Sequence, residues 1–339
     1  MKVLFIGGTG TISSSCVAEA LREGFDVTVL NRNSNHRREK IVGVHQLVGD
    51  ITNISEVARI LSVHKFDAIV NFLTYTAQDA ENMVELFSEK ISQYIHISSA
   101  SAYHKPISKF PITESTPLKN PYLAYARDKI DTEEVFMKYF KSSDFPITIV
   151  RPSHTYDDSH PPLPGDWTTW KYIGSGNTMV VHGDGTSLWT VTHASDFAVG
   201  LVGLIGNTPA IGEEFHITGD EVITWNEIYS SVARVQGMSP RLVHLASESF
   251  KLLAPEWFWT DLYIGDLSHS AVFDNSKIHR FVPKFNPVIT WPEGVRRLSN
   301  WYSKNSGLLT YDDEMNELLI RFERAHKASN AAILSSVKG

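Results

Sequence analysis

The chain of 339 residues has a single cysteine, Cys16. No intrachain disulfide can form, and its place within a run of helical spacing marks it as a packed side chain rather than a reactive thiol. There is no run of about 18 consecutive apolar residues, so no membrane-spanning helix is expected. The apolar part of "MKVLFIGGTG" is too short for a secretory leader. A cytoplasmic location is the resulting expectation. Positive charge is not in excess: 31 Lys and Arg stand against 38 Asp and Glu, a net charge of −7. That excludes an overall basic surface of the kind that drives phosphate-dominated nucleic-acid binding, and no nucleic-acid or membrane partner is expected. The 14 histidines show no metal-ligand spacing. His154 and His160 share a loop with Asp157 and Asp158, the nearest approach to one, and no metal is expected. Internal repeats and low-complexity linkers are also lacking.

What the chain does have is 42% hydrophobic and 20% charged residues, the composition of a globular protein large enough for one α/β unit with a smaller lobe. Short apolar runs recur: "KVLFIGG", "DVTVLNRN", "GVHQLVGDI", "FDAIVNFL", "QYIHISSAS" and "PITIVRPS". Helical patterns such as "SSSCVAEALREG", "ISEVARILSVH" and "AQDAENMVELFSEK" lie between them. This alternation predicts a Rossmann-type, doubly wound parallel sheet of the α/β class. After Arg151 the rhythm breaks. "DDSHPPLPGDWTTW" reads as a loop excursion, and "ASDFAVGLVGLIG" as an apolar helix able to pack back on the sheet. The expected division is a dinucleotide-binding domain over 1–155, rejoined by 190–218. A smaller mixed substrate lobe would comprise 156–189 and 219–310, with a C-terminal helix and frayed tail over 311–339.

The first strand runs into "GGTGTIS", with Gly7, Gly10 and Ser13 at the spacing G-x-x-G-x-x-(G). A glycine turn between strand and helix presents backbone N–H groups and the helix dipole to a diphosphate. Gly7, Gly10, Thr11 and Ile12 are therefore candidate cofactor contacts. The third position serves close helix–strand packing, which a small serine can tolerate. At the end of the second strand, where an acidic residue would bind the ribose hydroxyls of NAD, the chain reads Asn31-Arg32, with Arg37 and Arg38 behind. No carboxylate repels a 2′-phosphate there and Arg32 can pair with one, which favours NADP(H) over NAD(H). The same arginines would also suit a solvated loop. Asp50, beside Ile51, can accept from an adenine amino group or cap the helix that begins near Ile54.

"AYARDKI" places Tyr125 and Lys129 four apart, on one face of a helix. A phenol near pKa 10 is a weak base at neutral pH. A lysine ammonium beside it stabilises the phenolate, which could then take a proton from a substrate hydroxyl as hydride leaves the same carbon. Ser99, at the end of "YIHISS", would hydrogen-bond the same oxygen.

With "GGTGTI", "GDITN", "ISSASAY", "YARDK", "TIVRPSHTY", "VVHGDGTSLWTVTHASDFA" and "EEFHITGDEVITWNEI", the chain resembles the extended short-chain dehydrogenase/reductases of the NAD-dependent epimerase/dehydratase type. The resemblance runs from residue 1 to about 230. It implies a triad of Ser99, Tyr125 and Lys129, with Lys129 also on the nicotinamide ribose. It implies too that "RPS", Pro152 included, lines the nicotinamide side, and that the chain pairs as a homodimer through the helix of Tyr125 and the one before strand five.

Departures from the family pattern are as informative. R-P-x-N-x-Y-G becomes Arg151-Pro152-Ser153-His154-Thr155-Tyr156-Asp157, and Trp189 occupies the arginine position of G-D-G-x-x-x-R-D. Each lost charge-assisted bond to a phosphate would be worth about 1.5–3 kcal/mol. Either other cations replace them or the substrate carries no nucleotide diphosphate. Trp167, Trp170 and Trp189 could stack on a sugar ring or simply fill a core. His154 could shuttle protons, bind substrate or be structural. Ser101 joins the candidate substrate residues. The residues after Ser99 are Ala100 and Ser101, not the acidic pair of the family's dehydratases. The expected function is an NAD(P)-dependent oxidoreductase or epimerase acting on a secondary hydroxyl of a sugar-like substrate. The alternative, from another class, is a modified member that binds RNA or senses redox state through bound NADP.

Overall fold

Strands that read as unbroken apolar runs, not as alternations, must be covered on both faces. The computed structural model, which describes residues 1–32, 41–88 and 90–338, shows that arrangement. β1 (Lys2–Ile6), β2 (Asp26–Asn31), β3 (His45–Val48), β4 (Ala68–Asn71), β5 (Gln93–Ile97) and β6 (Ile147–Pro152) form a parallel sheet with the strand Glu214–Ile217. The order is Glu214–Ile217, β6, β5, β4, β1, β2, β3. The direction of winding reverses between β1 and β4, so their C-terminal ends open a crevice, where ligands of such sheets bind.

Helices cover both faces. On one, α1 (Thr11–Arg22) and α6 (Ala194–Leu204) pack together over Val3, Phe5, Val29 and Val70. On the other, α2 (Ile54–Leu61), α3 (Ala77–Phe87) and α4 (Ala124–Ser143) cover Leu4, Ile6, Ile69 and Tyr94. The starts follow local chemistry. Thr76 and Asp79 close a reciprocal capping box on α3. Asn53 caps α2, accepting from Glu56 N at 3.2 Å. Of the two roles open to Asp50, the helix cap therefore falls to Asn53; Asp50 accepts from Thr52 N and Oγ1 at 3.0 and 2.8 Å and tightens the preceding turn.

A second, aromatic core lies beyond β6. It is built by α5 (Asp166–Gly174), α7 (Trp225–Val235) and the helices Trp291–Asn305 and Asp313–Lys338, with Trp170, Trp225 and Trp291 fully buried. α5 corrects the loop expected through "GDWTTW". Its β-branched and aromatic residues have modest helix propensity, but packing overrides it. Trp167 stacks on Trp301 at 5.1 Å and 14°. The C-terminal segment is helical as far as Lys338, anchored by Met315, Leu319 and Phe322 on one face. Among the described residues no helix is long and apolar enough to cross a membrane.

Candidate active site

The glycine turn follows β1 directly. Gly7 has φ +87°, a conformation a side chain strains, and a Cβ there would meet Leu73 Cγ at 2.7 Å. Gly8 is pressed between β2 and α1, where a Cβ would lie 2.9 Å from Val29. The close helix–strand approach assigned to the third motif position is thus made by Gly8. Ser13, 1% exposed, has a bonding role instead: its Oγ accepts from Gly10 N at 2.8 Å and closes the turn.

The turn borders a cleft of about 530 Å³. Gly7 and Gly10 line it, with Asn31, Arg32, Asp50 and Ile51. Thr74 and Tyr75, which follow β4, line it too. A bare backbone turn at a helix N-terminus beside polar side chains that follow β2 and β3 is suited to a dinucleotide. Thr11 faces a neighbouring cleft and Ile12 packs into the core under the sheet. Arg32 Nη1 lies 3.9 Å from Asp50 Oδ2, and Asn31 accepts from Gln46 Nε2. Arg37 and Arg38 lie outside the described residues.

α4 carries Tyr125 and Lys129 towards the end of β5, where Ser99 follows the strand. Ser99 and Tyr125 line the same pocket, and Ser99 Oγ is 2.8 Å from Ser101 Oγ. Lys129 is buried. Its Nζ donates to Thr74 O at 2.6 Å and Ile97 O at 2.9 Å, and it lies 4.7 Å from the Tyr75 ring centre and 5.9 Å from that of Tyr125. The ammonium therefore touches Thr74 and Tyr75, in the wall of the 530 Å³ cleft, and lies near Tyr125, in the wall of a second pocket.

The electrostatics differ from the simple expectation of a lowered phenol pKa. Desolvation pushes Tyr125 up to about 12 although 37% of the residue faces water, against the lowering effect of nearby Ser99 and with Tyr75 and Asp266 adding to the rise. Burial also lowers Lys129 to about 8, with Glu133 and Asp79 opposing. Desolvation of both charged forms outweighs their neighbours. Deprotonation of Tyr125 at neutral pH thus calls for positive charge beyond that of Lys129.

Tyr125 opens on a pocket of about 160 Å³. Ser99, Ser101, Pro152 and His154 line it beside Trp189, Trp259 and Phe258. His154 Nδ1 accepts from Trp189 Nε1 at 3.1 Å, and burial lowers its pKa to about 4, so the ring is neutral. Lys105 and Asp266 meet in the wall at 2.7 Å. Trp167 is not in this pocket. Its indole borders the cleft beneath the glycine turn, donates to Ser159 O and stacks on Trp301, so it does not share a pocket with Trp189. Arg151 likewise leaves the expected "RPS" lining. It is 4% exposed and ion-paired with Glu133 at 2.6 Å.

Several residues were not visible as site residues in the sequence. Leu73–Tyr75 could have been found from their place after β4 at the reversal of winding. Lys105, Phe258, Trp259 and Asp266 come from distant segments with no shared spacing.

The model of the NAD dependent epimerase/dehydratase family matches residues 3–217. The chloroplast stem-loop binding protein of 41 kDa b of Arabidopsis thaliana is 24% identical over 262 residues, 74% of this chain and 67% of that protein. UDP-glucose 4-epimerase of Lactobacillus helveticus is 30% identical over 168 residues, 44% of this chain and 51% of the enzyme. Among solved structures, UDP-glucuronic acid 4-epimerase from Bacillus cereus, in complex with UDP-glucuronic acid and NAD, superimposes with a TM-score of 0.72 at 19% identity, covering 90% of this chain and 99% of that one.

Proposed function

Because the chain belongs to the NAD dependent epimerase/dehydratase family, we propose that it oxidises or reduces a secondary carbinol of a sugar-like substrate, with Tyr125 moving the hydroxyl proton. The observation that carries this reading is the convergence of Ser99 and Tyr125 on one pocket, with the Lys129 ammonium 5.9 Å from the Tyr125 ring centre and bonded to Thr74 O in the wall of the neighbouring cleft. A nicotinamide bound in the cleft would supply the hydride acceptor and a positive charge. Ser99 donates to the substrate oxygen and fixes its distance from Tyr125. Tyr125, once ionised, takes the O–H proton while the carbon gives up its hydride, so the carbinol becomes a ketone and the phenol is re-formed. Lys129 spends two donors on Thr74 and Ile97, which leaves its third for the cofactor's ribose. Return of the hydride to the other face of the ketone is epimerisation; release of the ketone is oxidation. Elimination is the weaker reading, since Ala100 and Ser101 follow Ser99. RNA binding is weaker still on a chain of net charge −7. Reduced nicotinamide appearing with a secondary carbinol, in the wild type and not in Tyr125→Phe, tests the proposal.

The cofactor end supports NADP(H). No carboxylate ends β2, and Arg32 stands in the cleft lining. Arg32 is well exposed, so water screens part of its attraction. Arg32→Glu is expected to weaken NADPH by about tenfold relative to NADH. Fluorescence titration with both dinucleotides reads the ratio, and an unchanged ratio would assign Arg32 to the solvent.

A further inference from the structure

The Tyr125 pocket is bordered at Leu267 by a second cleft, lined by His182, Asp184, Ser187 and Ser268 among others. Among the described residues, the linings of the two contain one lysine and no arginine. That lysine, Lys105, is 3% exposed and ion-paired with Asp266. Two aspartates, Asp266 and Asp184, share the linings with it. A diphosphate brings two negative charges and needs charge-assisted donors, each worth tenfold or more in affinity, on the order of 1.5–3 kcal/mol. Here it would meet one cation, already paired, and two carboxylates.

The position that could reach a phosphate from the strand Leu188–Trp189 holds an indole, and that indole's only N–H is committed to His154. Much of the remaining wall is apolar: Phe258, 65% exposed, with Trp259, Leu262 and Phe273, beside the hydroxyls of Ser153 and Thr190. Aromatic faces of this kind hold the C–H face of a sugar ring or an aryl group, while the hydroxyls find Ser99, Ser101 and Tyr125.

We propose that this pocket takes a nucleotide-free, uncharged secondary alcohol, a ring polyol or its apolar glycoside, and not a nucleoside-diphosphate sugar. The inference rests on the proposed carbinol chemistry at Tyr125 and adds the substrate class. Its test is calorimetric titration of the NADP⁺-loaded protein with UDP and with dTDP, beside a turnover assay on methyl and phenyl glycosides and UDP-glucose. The expected result is no UDP or dTDP binding below millimolar concentration. Turnover is expected of glycosides, with kcat/KM about tenfold higher for phenyl than methyl and that preference lost in Trp259→Ala. Micromolar binding of UDP or dTDP overturns the inference. So does turnover of UDP-glucose that disappears in Tyr125→Phe, a result that would leave the carbinol chemistry standing. Glycoside turnover that persists in Tyr125→Phe would instead remove the carbinol reading at Tyr125 and with it the ground of the inference.

Discussion

Tyr125→Phe is expected to lower kcat by about a thousandfold, within the range of about 10²–10⁴ typical of a lost general acid–base group, and to leave cofactor affinity within about twofold. The substitution removes one oxygen. The ring remains to line the pocket, and Lys129 keeps its bonds to Thr74 and Ile97, neither of which depends on the phenol. KM should therefore move little while kcat falls, the pattern of an interaction made in the transition state and not in the ground state. A change confined to KM would reassign Tyr125 to substrate binding. Ser99→Ala removes only a donor to the same oxygen, so its effect should be smaller.

The largest expected loss of stability comes from Arg151→Met, about 3–5 kcal/mol in urea unfolding, the usual result of stranding one member of a buried ion pair. Arg151 Nε and Nη2 grip both carboxylate oxygens of Glu133, and Nη1 donates to Tyr103 OH and Glu114 O. Ser98 Oγ donates to the same carboxylate. Glu133 lies one turn beyond Lys129 on α4, so the pair ties β6 to the helix that presents Tyr125 and Lys129. Removing Arg151 leaves Glu133 charged and buried. The double change Arg151→Met with Glu133→Leu should recover most of the loss, because two apolar groups replace two ions. If the double variant were no more stable than the single one, the penalty would lie in packing rather than in the stranded charge.

Local signals explain what could be read without coordinates. Short apolar runs separated by helical patterns pointed to β1 to β6. A glycine turn between strand and helix placed the cofactor cleft, and an interval of four put Tyr125 and Lys129 on one face. Each depends on neighbours within a turn or a strand. What escaped depends on contacts across the chain. α5 is held by Trp301 and Tyr302, more than a hundred residues away in sequence. Arg151 sits next to a pocket residue, Pro152, yet alternation along β6 points its side chain to Glu133. Trp167 and Trp189 look equivalent in sequence, and only packing separates a core stack from a pocket wall. The rise of the Tyr125 pKa is a sum over desolvation from several segments, whereas spacing shows only the nearby ammonium.

The account turns on a phenol that desolvation pushes up to about 12, though the residue keeps 37% of its surface in water, and that must ionise in the working complex. Ultraviolet difference titration of wild type and Tyr125→Phe, alone and with NAD⁺ and with NADP⁺, measures this directly. One tyrosine present in the wild type and absent from the variant should ionise at about 12 alone, and fall by about 2 units or more once the cationic nicotinamide lies beside it. A titration of that tyrosine unmoved by saturating NAD⁺ and by saturating NADP⁺ would contradict the central claim.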